Sequence, residues 1–190
     1  MKNIAVFASG SGTNAENLIR YFADSSSARV MILLSNNLNA YALERAKRLN
    51  VPTITFTREQ FYQKEIILDV LKQHKIDLIV LAGFLWLIPQ YLTNSFPNQI
   101  VNIHPALLPN YGGKGMFGMH VHEAVVKNRE AESGITIHYV NELYDAGSII
   151  FQAKVNLSPD ETAESLAAKI HLLEQKHFPT VVERVLNHLP

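Results

Sequence analysis

The sequence predicts an α/β protein built on a doubly wound, mostly parallel sheet with helices on both faces. Three observations predict it. Short apolar runs recur at residues 4–8, 30–34, 53–56 and 78–81. Stretches with helical spacing of apolar residues separate those runs, and Ser9-Gly10-Ser11-Gly12 follows the first one at once. Strands apolar on both sides and joined through helices are the product of a parallel sheet covered on both faces.

Taken in order, residues 4–8 read as a buried strand closed by the glycine turn. Thr13 and Glu16 have capping-box spacing ahead of Leu18, Ile19 and Phe22, which predicts a helix. Residues 30–34 form the second strand, and Ala42, Leu43, Ala46 and Leu49 mark the helix behind it. After a short strand at 53–56, Thr57 and Gln60 repeat the capping spacing. One helix then carries Phe61, Ile67, Val70, Leu71 and His74 along one side. The fourth strand is 78–81. This half is Rossmann-like.

The second half is less regular. Residues 100–104 form a strand ended by Pro105, and a glycine-rich segment runs on to Gly118. Residues 134–140 alternate as a half-buried strand should, with 149–155 as their partner. Ser158-Pro159-Asp160-Glu161 has a cap, a proline at the first helical position and an acid two residues later, predicting a helix to about Lys176. Pro179 begins a short last helix.

The 190 residues suit a single domain, which at this size buries roughly 70% of its unfolded surface. Seventeen basic residues balance seventeen acidic ones. That balance argues against a broad nucleic-acid surface and leaves room for one local anion site. With no cysteine, disulfides, zinc–thiolate centres and cysteine nucleophiles are excluded. The apolar run near Met1 is too short for a signal peptide, and no stretch has the length of a membrane span. The expectation is a soluble, cytoplasmic protein.

Three places carry candidate chemistry. Gly10, Gly12 and Ala15 match the G-x-G-x-x-A form of the dinucleotide fingerprint, but the second strand ends in Ser35-Asn36-Asn37 where a ribose-binding acid belongs. The turn still points the backbone N–H groups of Gly12, Thr13 and Asn14 at a helix start, which suits one phosphate or simply a tight turn. In Asn102-Ile103-His104-Pro105, residues two apart project to one face, and the proline ends the strand there. An amide and an imidazole at the carboxyl end of a strand can serve a developing oxyanion, or the histidine can be satisfied by local backbone. Asp145, in Tyr144-Asp145-Ala146-Gly147, has only turn chemistry to recommend it. His104, His120, His122 and His138 show no supporting carboxylate spacing, so no metal site is expected. Trp86 can line a pocket or pack.

Together these runs resemble a known family. Leu81-Ala82-Gly83-Phe84, Asn102-Ile103-His104-Pro105-Ala106-Leu107-Leu108-Pro109 and the Asp145 loop are similar, in order and over residues 1 to about 180, to the formyltransferase fold family. The opening Ser9-Gly10-Ser11-Gly12-Thr13-Asn14 and the chain length resemble its single-domain branch acting on a ribonucleotide amine. The resemblance implies transfer of a formyl group from 10-formyltetrahydrofolate, a co-substrate, to glycinamide ribonucleotide, without metal, nucleic acid or membrane, by a monomer or weak homodimer. It implies Asn102, His104 and Asp145 as catalytic residues, with Asp145 keeping His104 protonated and so raising its pKa above about 6.5. Gly12, Thr13 and Asn14 would hold the phosphate, and His171, Leu172, Leu173 and Glu174 would flank the ribonucleotide. Leu85, Trp86, Leu87 and Ile88 would line the folate pocket with Asn102, Asn141, Glu142, Leu143, Tyr144 and Asp145.

Trp86 stands where some relatives carry a basic residue, and residues 111–118 are longer and richer in glycine than in some relatives. The methionyl-tRNA branch of the family would bring an RNA-binding domain and a basic surface. The formyltetrahydrofolate hydrolase branch would bring an N-terminal regulatory domain ahead of a first strand that begins here at Ile4. A non-catalytic nucleotide-sensing module would keep the glycine turn without needing Asn102, His104 and Asp145 together.

Overall fold

The structure, a computed structural model, describes residues 1–63 and 65–189. A seven-stranded sheet runs in the order β3-β2-β1-β4-β5-β6-β7, formed by Lys2–Phe7 (β1), Ala28–Ser35 (β2), Thr53–Thr55 (β3), Leu78–Leu81 (β4), Ile100–His104 (β5), Glu132–Tyr139 (β6) and Ile149–Asn156 (β7). The first five strands pair in parallel; β5 with β6 and β6 with β7 are antiparallel. Helices follow as Thr13–Tyr21 (α1), Tyr41–Arg48 (α2), Arg58–Tyr62 (α3), Ile66–Gln73 (α4), Gln90–Ser95 (α5), Met119–Lys127 (α6) and Ala163–Asn187 (α7).

The alternation of β1 makes the two-faced sheet. Ile4, Val6 and Ala8 join a core with Leu18 of α1, Ala46 of α2, Val125 of α6 and Phe178 of α7. Ala5 and Phe7 point the other way, onto Phe61 of α3, Leu71 of α4 and Leu92 of α5. The chain order reverses between β1 and β4, and this switch point opens a crevice at the carboxyl ends of the parallel strands.

Several expected boundaries move, each for a visible reason. Gly12, with φ 75°, caps α1, so Thr13 is the first helical residue and not a cap; Glu16 instead binds Arg20 and Arg45. Thr57 and Gln60 do form their capping box. The helix expected across 57–74 is two helices, with Glu65 left-handed before α4; Lys64 lies outside the described residues. β6 is buried on both faces rather than alternating, because residues 106–108 cover the face expected to meet solvent. The Thr136 hydroxyl fastens that cover: it donates to the Ala106 carbonyl at 2.7 Å and accepts from the Leu108 amide at 3.0 Å. Helix α5, behind Pro89, has no counterpart among the expected elements.

At the carboxyl end, Ser158 and Glu161 close a turn of their own, and α7 starts later, on a Thr162–Ser165 capping box. The two expected helices are one, with Pro179 inside it. Proline removes the N–H that would reach the carbonyl four residues back, at Gln175. Asn17 of α1 supplies the missing donor: its Nδ2 lies 2.9 Å from that carbonyl. Among the described residues no helix is long and apolar enough to cross a membrane.

Asn17→Ala strands the Gln175 carbonyl and is expected to cost about 1–2 kcal/mol. In a Pro179→Ala background the helix regains its own donor, so the same substitution should cost less than half as much. Urea denaturation of the four proteins checks the coupling; equal costs in both backgrounds would refute it.

Candidate active site

β5 is the strand on which the site is built. On one side Asn102 is paired with Leu81 of β4, and on the other with His138 of β6. Asn102 and His104 therefore project together at the edge of the crevice, where Pro105 ends the strand. The crevice is a cavity of about 680 Å³. Its walls are the turn after β1 (Ser9 to Asn14), the segment after β4 (Ala82 to Leu85), Asn102 to Pro105, residues 113–118, and Ile170, His171 and Glu174 of α7.

Asp145 completes the centre. It sits in the β6–β7 loop with φ 53°, a left-handed conformation that aspartate tolerates better than most residues. One carboxylate oxygen accepts from the Gly113 amide at 3.0 Å and stands 3.6 Å from His104 Nδ1. The other lies 3.4 Å from Asn102 Nδ2 and 3.6 Å from His138 Nε2. His138 is opposite Asn102, with its Nδ1 2.7 Å from the Tyr139 carbonyl and its Nε2 3.1 Å from Asn102 Nδ2. An imidazole that donates from Nδ1 accepts at Nε2, so Asn102 turns its NH₂ toward both His138 and Asp145. Reversing that amide would set its oxygen against a carboxylate.

Residues 2–182 match the formyl transferase family. The chain belongs to that family. It is 38% identical over 187 residues to a chloroplastic phosphoribosylglycinamide formyltransferase of Arabidopsis thaliana, which covers 95% of this chain and 64% of that protein; it thus spans just under two thirds of this longer relative. It is 34% identical over 191 residues to the phosphoribosylglycinamide formyltransferase of Bacillus subtilis, covering 98% of this chain and 95% of that one. Among solved structures, glycinamide ribonucleotide transformylase 1 from Geobacillus kaustophilus superposes with a TM-score of 0.88 at 38% identity, over 98% of this chain and 99% of that chain.

In this chain the residues expected from the sequence divide into those that meet and those that do not. Gly12, Thr13, Asn14, His171 and Glu174 face one end of the cavity, where Asn14 Nδ2 donates to Glu174 at 2.9 Å. Leu172 is 69% exposed and Leu173 packs against the core. Asn102, Leu85, Tyr144 and Asp145 also line the cavity. Trp86 turns instead into a cluster with Phe56, Phe61, Tyr62 and Phe84, and Arg58 lies over its ring. Ile88 is buried there as well, and the Leu87 carbonyl accepts from the Tyr62 hydroxyl. Glu142 accepts from Gln90, Asn141 caps the Leu143 amide, and Leu143 is exposed. A Cβ at Gly12 would stand 2.4 Å from Ala42 Cβ, so a larger residue there disturbs folding before it disturbs any ligand.

Two residues of the site escaped the sequence reading in this role. His138 was weighed only as a metal ligand; its place beside Asn102 depends on a β5–β6 register that no local motif encodes. Ser9 accepts from the Leu85 amide and donates to Asn36, joining the turn after β1 to the segment after β4.

His104 does not hold the positive charge expected of it. Burial pushes its pKa below the ordinary 6.5, and the Asp145 carboxylate and the Tyr111 carbonyl, 2.7 Å from Nε2, oppose that without overcoming it. The imidazole is neutral at rest, with its proton on Nε2. Burial also pushes the Asp145 carboxyl up, but the His138 and His104 rings and the Gly113 amide outweigh it and hold the group below its usual value.

The unfolded chain takes up a proton at His104 near pH 6.5 and the folded chain resists it, so this residue makes stability fall on acidification below about pH 6.5. The stabilising contribution of Asp145 is present at neutral pH and is lost only as pH falls through its depressed value. NMR titration should find His104 below 6.5, and Asp145→Asn should lower it further by removing a charge that favours imidazolium. A value above 6.5 in the wild type would contradict this.

Proposed function

We propose that this chain transfers the formyl group of 10-formyltetrahydrofolate to the amine of glycinamide ribonucleotide, as an enzyme of purine biosynthesis in the cytoplasm. The observation that carries the reading is one cavity joining a phosphate-type turn at Gly12, Thr13 and Asn14 to the Asn102–His104–Asp145 centre. Family membership supports small-molecule substrates and a folate-derived formyl donor. The printed names of the relatives from Arabidopsis thaliana, Bacillus subtilis and Geobacillus kaustophilus support the acceptor.

The amine lone pair attacks the formyl carbon, a C–N bond forms, and the carbonyl electrons move onto oxygen. Asn102 is the neutral donor for that oxyanion, exchanging its long 3.4 Å bond to Asp145 for a shorter one. The amine nitrogen then carries one proton too many and the leaving folate nitrogen one too few. His104, neutral at rest, accepts the first proton, and the Asp145 carboxylate stabilises the imidazolium so formed. Collapse of the intermediate breaks the bond to the folate nitrogen, and His104 returns the proton there. The cation thus exists only while it is needed, which a permanently charged His104 would not allow. Holding both substrates in one cavity removes much of the entropic barrier of a bimolecular step.

Purified protein, assayed spectroscopically with the folate donor, should release deformylated folate only when glycinamide ribonucleotide is added. Equal rates with and without ribonucleotide would overturn the proposal in favour of a hydrolase. His104→Ala should lower kcat about 10²–10⁴-fold while the fold is retained.

A further inference from the structure

The first turn of α6 carries a histidine that none of the steps above uses. His122 is only 6% exposed, yet it lines the cavity. Its Nδ1 is enclosed without a hydrogen-bond partner; among the described residues Ser133 Oγ is the other buried side-chain polar atom in that state, and Ser133 is no part of the cavity wall. Native proteins rarely leave such atoms unpaired, and the cost of one is commonly tied to a function.

The chemistry of the ring says what it offers. Burial pushes its pKa below 6.5, and although Glu174 draws it up, the ring stays neutral. A proton on Nε2 leaves the enclosed Nδ1 as an unpaired acceptor, which costs less than an unpaired N–H, so Nε2 is the donor that the ring offers. Position narrows the target. Glu174 and His104 are the charged and titratable groups that act on His122, and Glu174 is held by Asn14 of the phosphate-type turn. His122 lines the same cavity as Asn14 and Glu174 at the phosphate-type turn and His104 at the reacting centre, and a bound ribonucleotide must span the interval between those two. In a ribonucleotide the sugar occupies that interval, and its hydroxyl and ring oxygens are uncharged acceptors. A neutral donor suits them and does not compete for the phosphate.

We propose that His122 is a binding residue for the ribonucleotide, donating from Nε2 to a ribose oxygen; this rests on the formyl-acceptor reading given above.

The test is titration calorimetry of the whole chain with glycinamide ribonucleotide, alongside Tm and the KM for the folate donor. His122→Phe keeps the ring and removes both nitrogens. It should weaken ribonucleotide binding about five- to tenfold, the size of one neutral hydrogen bond, leave the folate KM unchanged, and keep or raise Tm because the orphaned Nδ1 is gone. His122→Gln sets an amide nitrogen near the position of Nε2 and should bind within about twofold of wild type, whereas His122→Asn, whose amide reaches only as far as Nδ1, should behave like His122→Phe. Wild-type affinity in His122→Phe overturns the proposal, as does equal weakening for both substrates with a lowered Tm. Should His122→Phe fail to fold, equal affinities in the Gln and Asn variants overturn it. A wild-type protein that binds no ribonucleotide overturns the acceptor reading itself, and that result is distinct from a wild type that binds while His122→Phe binds as well.

Discussion

Asp145 reaches in from the β6–β7 loop and sets one carboxylate against the Gly113 amide, the Asn102 amide and the rings of His104 and His138. A carboxylate this far from solvent is unfavourable unless donors surround it. Here the donors are the Asn102 amide of β5 and the Gly113 amide of the segment between β5 and α6, with the His138 ring of β6 packed beside them. The charge is therefore affordable only when three separate stretches of chain are in register. The same contacts that make the charge tolerable orient the Asn102 amide and face a neutral imidazole with a group that will stabilise its cation.

The sheet topology supplies that convergence. β5 is the last parallel strand and also the first antiparallel one, so Asn102 has the β4 end of the crevice on one side and His138 on the other. The reversal of chain order between β1 and β4 brings the Gly12 turn to the same opening, and α7 closes it with Glu174. Even the proline within α7 is accommodated there, because Asn17 of α1 bonds the carbonyl that Pro179 leaves without a partner. Helices α1 and α7 are thus fastened both at the cavity and one turn away from it.

The sequence made legible what is local. Apolar runs located the parallel strands to within a few residues; Asn102 and His104 two apart before a proline, and the glycine turn after the first strand, pointed to the crevice. What stayed hidden is non-local. The Thr13–Glu16 spacing imitated a capping box because arginines from α1 and α2 wanted the same glutamate. Alternation in β6 suggested a wet face that residues 106–108 in fact cover. Asp145 looked like a turn residue until the family resemblance gave it a role, and His138 depended on register. The charge on His104 was misjudged because proximity to a carboxylate can be guessed from a motif, while the depth of burial that outweighs it is a property of the packed chain.

The account stands on Asp145 acting through His104 rather than beside it. The most direct measurement is a double-mutant cycle in kcat/KM for formyl transfer, using Asp145→Ala, His104→Ala and the double variant, with folding of each checked by circular dichroism. If the carboxylate works by stabilising the imidazolium, little is left for it to do once the ring is gone. The double variant should then be no more than a few-fold slower than the slower single one. Losses that multiply, each substitution costing as much in the other's absence as alone, would contradict the account.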